Sequence, residues 1–410
     1  MNNNYIITFK NSEDGFTIYH SDTKKVTIEP SIPHTKYPRR YNLIKGYDAD
    51  ENGLKAYASD FEKFCLQMKT RNYFSIDYQQ YFSDYIAVEA TFKRLATKTN
   101  YKSHGQVTLE EFQWMNKCHN GGLTYCKPGT YKECFGYDFK MCYPNILGHS
   151  RDNFQFPSQP GYEVILKKVP KNLKFGYYRC LIQTDNEDFK KIFSFSKKNV
   201  YTNYSILFAL ELSEQFNVKV EMICDGEANA YVYKPEDIIK SVDVFGNWFN
   251  KLQQMKTDFP KNKLVKHLTS SVSGHLMRAN CQTINFKDIG KDIEEDDLCF
   301  FTDNIPADAK YAIMEMNEDF DHPEKSYYKL LDVQQPMKYS IGRFKAFLLS
   351  FGRVKCARFA LRDLKHLVRI QTDGLVFTKE QKEDIEQGVF IEDKTTGSIT
   401  FKNVNSYSKD

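Results

Sequence analysis

Residues 137–147 read Tyr137-Asp-Phe-Lys-Met-Cys-Tyr-Pro-Asn-Ile-Leu147, directly after a strand-like run at 133–137. An acid at a strand's end, such as Asp138, is ordinarily a turn residue or a helix cap. It gains meaning from a second acid far along the chain. Asp373 stands in Val368-Arg-Ile-Gln-Thr-Asp-Gly-Leu-Val-Phe377, which reads as a single strand. An acid within such an apolar run is costly unless it is paired or binds a metal. Two such acids can meet on neighbouring strands and share divalent cations, and two cations about 3.5–4 Å apart suit in-line displacement at phosphorus. A third element is the basic stretch Lys261, Lys263, Lys266 and His267, which runs into Ser-Ser-Val-Ser-Gly274. Lys263 and Lys266 are three apart and share a helix face. Alone, that face would be a solvated surface.

Outward from these positions the chain alternates between patterns. Leu54, Tyr57, Phe61, Phe64 and Met68 recur at helical spacing, and a second helix is predicted around 81–95. Gly121-Gly122 and Pro128-Gly129 break the chain before the first acid. Between 160 and 235, four alternating runs read as strands, interrupted by one helix at 204–216. Two amphipathic helices follow. One carries Ile238, Val242, Phe245, Phe249 and Leu252; the other carries Leu264, Leu268, Val272 and Leu276, with Pro260 between them. The acidic, proline-punctuated stretch 286–338 reads as an insertion. A long helix is predicted from 341 to 367, and a last strand at 397–404.

The 410 residues are 41% hydrophobic and 27% charged, which excludes a disordered or fibrous chain. With 57 basic and 53 acidic residues the net charge is +4, so any nucleic-acid site must be a local cluster. Aromatic residues reach 15%, enough for a well-filled core with rings left for stacking. No apolar run is long enough to span a membrane, and the N-terminus lacks a signal-peptide pattern. Ten cysteines over this length predict reduced thiols and an intracellular protein. Cys118, Cys126, Cys134 and Cys142 recur every eight residues, without the close pairing that zinc sites use.

Residues 137–147 resemble the first catalytic motif of family B DNA polymerases, D-F-x-S-L-Y-P-S-I-I, at Asp138, Phe139, Tyr143, Pro144 and Ile146. Lys266-His-Leu-Thr-Ser-Ser-Val-Ser-Gly274 resembles the second, K-x-x-x-N-S-x-Y-G, at Lys266, Ser271 and Gly274. Ile370-Gln-Thr-Asp-Gly374 resembles the third, Y-G-D-T-D-S, at Thr372 and Asp373. Asn120-Gly-Gly122 is similar to the Y-x-G-G element ahead of the first motif, and Ile341-Gly342 with Arg353 to the segment leading into the third. The order and spacing of these matches carry the resemblance, which runs from about Glu110 to the C-terminus. The long interval between Lys266 and Asp373 is similar to the protein-primed branch of viruses and mobile elements.

The resemblance implies a right-hand polymerase of class α+β, with an antiparallel palm sheet and flanking helices, helical fingers and a small thumb. It implies a proofreading remnant at 1–105, the first part of the palm with an insertion between the first and second motifs at 106–235, fingers at 236–280, an insertion at 281–340, the rest of the palm at 341–380 and the start of a thumb at 381–410. It implies DNA-directed addition of dNMPs to a primer 3′-hydroxyl with two Mg²⁺ or Mn²⁺ ions, held by Asp138, Asp373 and the Phe139 carbonyl. Tyr143 would lie under the incoming sugar, Lys266 would contact the triphosphate, and Gly274 would admit the nascent base pair. Asn120, Gly121, Gly122 and Lys263 would meet DNA, and Tyr407 would grip the primer. The implied partners are primer–template DNA, dNTPs and a terminal-protein primer.

This sequence departs from the pattern at three points. Gln371 stands where the third motif has its first acid, Ser273 where the second has Tyr, and Gly374 where the third has Ser. The stretch before 106 is too short for a full exonuclease domain. Asp60-Phe-Glu62 matches that domain's D-x-E only superficially, because it falls on a helix, so no exonuclease activity is expected and the chain reads as the C-terminal polymerase part. These departures also motivate an alternative, a catalytically impaired polymerase fold that binds DNA or a replication partner.

Overall fold

The computed structural model describes residues 6–11, 15–20, 23–29, 41–44, scattered positions of 52–66, 104–118, 121–260, 263–382 except 292, 303, 307 and 319–325, and 389–409. The chain forms two compact units, one from residues 1–102 and 242–275, the other from 103–241 and 276–410.

In the first unit, β1 (Ile6–Asn11), β2 (Gly15–His20), β3 (Lys25–Glu29) and β4 (Tyr41–Ile44) form a sheet in the order β3-β2-β1-β4, with only β4 parallel to its neighbour. Lys24 Nζ lies 2.6 Å from Glu62 Oε1, joining the β2–β3 turn to the helical positions that bury Leu54 and Ala58. Tyr57, Phe61, Phe64, Met68, Asp60 and the helix expected around 81–95 lie outside the described residues. Helices Ser241–Asp258 and Lys263–Leu276 complete this unit, burying Phe245, Trp248, Phe249 and Leu252 from one and Val265, Leu268 and Val272 from the other. Ile238 belongs to a short strand rather than to the helix the sequence predicts, which starts at Ser241.

The second unit is built on a six-stranded antiparallel sheet of β5 (Thr124–Cys126), β6 (Gly129–Phe139), β18 (Leu367–Gln371), β19 (Gly374–Phe377), β20 (Val389–Asn403) and β21 (Ser406–Lys409). Its order is β21-β20-β6-β19-β18-β5. Beside it β8 (Tyr162–Val164), β9 (Gly176–Gln183), β10 (Val200–Thr202), β11 (Lys219–Met222) and β12 (Ala230–Val232) make a second sheet, and β7 (Gln155–Pro157) pairs with β13 (Ile238–Lys240). Within the stretch read as an insertion, β14 (Cys281–Asn285), β15 (Leu298–Phe300), β16 (Tyr311–Asn317) and β17 (Tyr327–Asp332) form a third sheet around the antiparallel β16–β17 pair. Five helices matter below: α1 (Leu109–Lys117), α2 (Cys142–Gly148), α3 (Glu187–Ile192), α4 (Asn203–Glu211) and α5 (Lys345–Ala360).

Aromatic rings fill the core of this unit. Phe347 of α5 meets Tyr177, Phe175, Tyr233 and Tyr204 with centroids 5.0–6.5 Å apart. Ring pairs at such distances add a modest directional term to the burial of large apolar area. Part of the surplus of Phe and Tyr in the composition is used in this cluster.

The most buried ion pair among the described residues joins α1 to the turn that precedes α5. Arg343 Nε and Nη2 donate to the two carboxylate oxygens of Glu111, each at 2.9 Å, and neither side chain is exposed. Tyr233 also donates to Glu111 at 2.8 Å, and Arg343 Nη1 donates to the carbonyls of Gly105 and Ser158. The pair is saturated with partners, the condition under which a buried ion pair is tolerated. Thr108 caps α1 by accepting from Glu111 N at 3.1 Å. Thr108-x-x-Glu111 thus has the spacing of a capping box, but the Glu carboxylate turns to Arg343 instead of back to the cap.

Three further expectations are corrected. The helix predicted over 341–367 is a 3₁₀ turn (Ser340–Phe344) followed by α5, which stops at Ala360. Arg362 and Asp363 donate to carbonyls three residues back, and the Asp363 carboxylate takes the His366 backbone N–H and Nδ1, turning the chain into β18. Residues 204–216 form two helices, Asn203–Glu211 and Ser213–Phe216, divided at Leu212. The run 368–377 is a hairpin and not one strand, with Thr372 and Asp373 as its two-residue turn.

Removing one side of the buried pair should be severe. Glu111→Ala is expected to cost about 3–5 kcal/mol in urea unfolding, because it strands a buried guanidinium. Buried thiols set a second expectation. Burial pushes Cys118 and Cys180 up to about 12 in the folded state, against about 8.5 in an unfolded chain. Folding favours the neutral thiols, so their contribution is intact below the unfolded value and is lost as pH rises toward the folded one. The urea midpoint should fall between pH 9 and 11, and less steeply in Cys118→Ala.

Candidate active site

Strand β6 ends in Asp138 and Phe139, and the β18–β19 hairpin runs antiparallel beside it. Asp138 stands opposite Gly374, and Phe139 N donates to Asp373 O at 3.1 Å. The two acids therefore sit at adjacent ladder positions at one end of the sheet, although 235 positions of numbering lie between them. Both are half-buried. On its other side Asp138 pairs with Phe390 of β20, so the strand carrying it is central and held from both edges.

Asp373 occupies a turn, not the interior of an apolar strand, and the turn is shaped by Thr372. Its φ of 60° lies in the left-handed region, where a β-branched residue is strained and persists only when its surroundings hold it. Three contacts do so. Thr372 N donates to Leu123 O at 2.8 Å, Cys356 Sγ donates to Thr372 O at 3.0 Å, and Gly122 packs directly on the residue. A Cβ on Gly122 would come within 2.7 Å of Thr372 Oγ1 and 3.0 Å of its Cα. Gly122 is therefore needed for close approach, whereas a Cβ on Gly121 would meet nothing within 4 Å. Gly121 takes part through its carbonyl, which accepts from the buried Arg353 at 2.8 Å, while Arg353 also donates to Ser350 Oγ at 2.8 Å. Asn120 lies outside the described residues.

One stripe of α5 covers this end of the sheet. Gly352, Lys355, Cys356 and Phe359 share a face at i, i+3, i+4 and i+7. A Cβ on Gly352 would stand 3.1 Å from Tyr143 Cε1, so the tyrosine ring packs against bare helix. Lys355 Nζ lies 5.6 Å over the Phe139 ring, Cys356 holds the Thr372 carbonyl, and Phe359 meets Phe139 edge-on at 6.0 Å. Phe139 is buried, so its ring is core. Met141, at φ 53°, lets the chain leave β6 and begin α2, which carries Cys142 and Tyr143. Burial pushes the Tyr143 phenol well above its usual range; the nearby Cys142, Cys356 and Asp373 add to this, and Arg353 opposes it. Tyr143 therefore stays a neutral hydroxyl close to Asp373.

The basic helix lies in the first unit. Lys266 is exposed near the start of Lys263–Leu276, and Gly274, two turns on, faces open space, since a Cβ there would meet nothing within 4 Å. Lys263 is the first residue of this helix. Ser273, which stands where the resemblance expects Tyr, is buried. In the second unit Gln371 accepts from Arg369 and donates to Asn405 Oδ1 at 2.9 Å, while Arg369 Nε donates to Val404 O at 2.8 Å. The position of the missing acid thus links the hairpin to the β20–β21 turn. Tyr407 is on β21, its backbone opposite Phe401.

Cys118, Cys134 and Cys142 are buried free thiols and Cys126 is half-buried. Cys134 packs with Val368 and Phe401 as core. Among the described residues, no three His, Cys, Asp or Glu side chains cluster as a metal site; the acids at the sheet end are a pair. The residues that sequence reasoning missed are Cys356, Ser350, Lys355 and Asp152. Only the 3–4 spacing on α5 hinted at the first three.

No protein-family profile matches the chain, and no curated protein is significantly similar to it. Solved structures are. Phi29 DNA polymerase in a post-translocation binary complex with primer-template DNA is similar over 98% of this chain and 74% of its own, with 14% identity and a TM-score of 0.55. The same polymerase complexed with single-stranded DNA is similar over 93% and 62%, at 13% identity and 0.53. In its ternary complex with primer-template DNA and incoming nucleotide the values are 89%, 63%, 14% and 0.52. In the last two comparisons this chain spans less than two thirds of the polymerase's length. At these identities the likeness is one of fold, and the α+β architecture with antiparallel sheets is that of a DNA polymerase.

The Gly122–Thr372 contact gives a direct check. Gly122→Ala should lower stability by about 1–3 kcal/mol through overpacking against backbone, measured by urea unfolding. Gly121→Ala should cost less than about 0.5 kcal/mol, as expected where nothing is met.

Proposed function

We propose that this chain is a DNA-directed DNA polymerase that adds dNMPs to a primer 3′-hydroxyl. The observation that carries the reading is the ladder register that sets Asp138 beside Asp373 at the end of a polymerase-type sheet. Carboxylates and a main-chain carbonyl are hard oxygen donors suited to Mg²⁺ or Mn²⁺. Asp138, Asp373 and the Phe139 carbonyl would hold two such ions. Bound there, the ions supply activation of the primer hydroxyl and neutralisation of the triphosphate and leaving pyrophosphate.

The chain's own residues do the rest by position. Tyr143, fixed against Gly352, lies under the incoming sugar and leaves no room for a 2′-hydroxyl. Lys266 offers a compact charge to the triphosphate, with Lys263 on the same basic helix. Gly274 leaves space for the nascent base pair. Asn120, Gly121 and Gly122 meet the template strand, and Tyr407 meets the primer. In this reading residues 1–105 are a proofreading remnant without exonuclease activity, 106–235 the first part of the palm with an insertion, 236–280 the fingers, 281–340 a second insertion that closes around DNA, 341–380 the rest of the palm and 381–410 the start of the thumb. A terminal protein is the primer, in replication of a viral or mobile genome within the host cell. Among the described residues no helix is long and apolar enough to cross a membrane.

Gln371 favours a second reading. It removes one acid and engages Arg369 and Asn405 instead, as in a polymerase fold that binds DNA or a replication partner without chemistry.

Primer extension separates the two. Wild type with Mg²⁺ or Mn²⁺ should extend a labelled primer on a template. Asp373→Asn should lose about 10³-fold or more, the scale of several kcal/mol of metal-assisted charge stabilisation. Tyr143→Ala should keep extension and accept rNTPs. Wild type that binds primer–template without extending it would establish the second reading, and an active Asp373→Asn would refute the site.

A further inference from the structure

Next to the proposed site lies a buried ion pair to which the chemistry assigns no role. Lys355 Nζ is 2.6 Å from Asp152 Oδ1, with 8% of the lysine and 3% of the aspartate side chain exposed. Asp152 ends the single 3₁₀ turn Ser150–Asp152, just beyond α2. Lys355 reaches from α5 over the ring of Phe139, the residue that follows Asp138. Lys355 and Asp373 both act on the Cys142 thiol, in opposite senses, so the ammonium and the acid share one small region.

The pair is poorly satisfied. Asp152 Oδ2 is buried and has no hydrogen-bond partner, and neither has the neighbouring Arg151 Nε. Removing two charges from water is repaid only when the remaining lone pairs are satisfied, and an apolar pair of similar volume would join the turn to α5 at least as well. The contrast with Glu111–Arg343, where both carboxylate oxygens are bonded, is direct. What charges provide here, and apolar groups would not, is a field, which each partner of the pair screens for the other. An ammonium this near a cation site opposes cation binding, and a carboxylate in contact with it cancels most of that effect. With Gln371 engaged elsewhere, the described side chains at the sheet end include two acids, and their attraction for cations is open to adjustment by a neighbouring charge.

We propose that Lys355 lowers the divalent-cation affinity of the Asp138–Asp373 site and that Asp152 screens it, so that breaking the pair, and not removing it whole, shifts that affinity. Both are positioning residues that act through the field on the acids. The inference rests on the metal-dependent reading of the site.

The test is Mn²⁺ binding to the whole chain without nucleotide, followed by electron paramagnetic resonance and by calorimetry. Wild type should bind Mn²⁺ at a site abolished by Asp373→Asn. Lys355→Met should tighten binding about three- to tenfold and Asp152→Asn should weaken it by a similar factor, as expected for one unit charge at moderate effective dielectric. The double variant should return to within about twofold of wild type. Opposite signs are the signature, because damage to packing would weaken binding in both single variants. Both single variants weakening it, or neither changing it, would overturn the proposal. Should Asp152→Asn fail to fold, as read by thermal melting, Lys355→Met and the double variant still decide, since the first must tighten binding. Absence of any Asp373-dependent Mn²⁺ binding in wild type would remove the metal site itself. Wild-type binding with unshifted variants would remove this inference alone.

Discussion

The bidentate contact between Arg343 and Glu111 governs the second unit. Both side chains are wholly buried, so each would be intolerable without the other. Arg343 lies in the 3₁₀ turn that delivers α5, and Glu111 lies in the first turn of α1. Their contact, extended by Tyr233 and two backbone carbonyls, fixes where α5 begins. The phase of that helix then decides which side chains face the end of the central sheet. A shift of one residue would turn Gly352, Lys355, Cys356 and Phe359 away from Tyr143, Phe139 and Thr372. The candidate site is therefore set partly by an ion pair that contributes no group to it.

Around the site, strain and support go together. Met141 and Thr372 both hold left-handed backbone where chains leave strands of the same sheet. Neither residue prefers that conformation. Thr372 is held from three directions, by Leu123, Cys356 and Gly122. The consequence is that Asp373 projects from a fixed turn beside the end of β6. An acid on a loose loop would have to lose its freedom when a ligand bound, whereas here that cost is met at folding.

Much of this was legible in the sequence, though unevenly. Asp138 at the end of a strand and Lys266 on a helix stand where the local pattern put them. The apolar faces of the helices at 241–258 and 263–276 follow from a 3–4 period. The alternation between 160 and 235 marks real strands. Boundaries were less legible. Val368–Phe377 does contain Asp373-Gly374, a local hairpin signal, but nothing local placed the turn one residue earlier, on Thr372 and Asp373. The end of α5 was hidden likewise, because Leu361, Arg362 and Leu364 suit a helix and only the Asp363–His366 contact closes it. Thr108-x-x-Glu111 was readable as a cap, but not as half of a buried ion pair.

What the sequence by itself determined is short-range: periodicity, caps, the basic helix, and the presence and order of Asp138, Tyr143, Lys266 and Asp373. These depend on neighbours within a turn or a pleat, where spacing alone decides which side chains share a face. What only the tertiary structure decided is long-range: the register of Asp138 against Gly374, the Gly122–Thr372 contact, the Lys355–Asp152 pair and the Arg343–Glu111 pair, whose partners are 232 positions apart. The physical reason is that a charge or a glycine looks the same in sequence whether it is solvated or buried. Which of the two holds depends on which distant segment excludes water from it, and that follows from packing the whole unit at once.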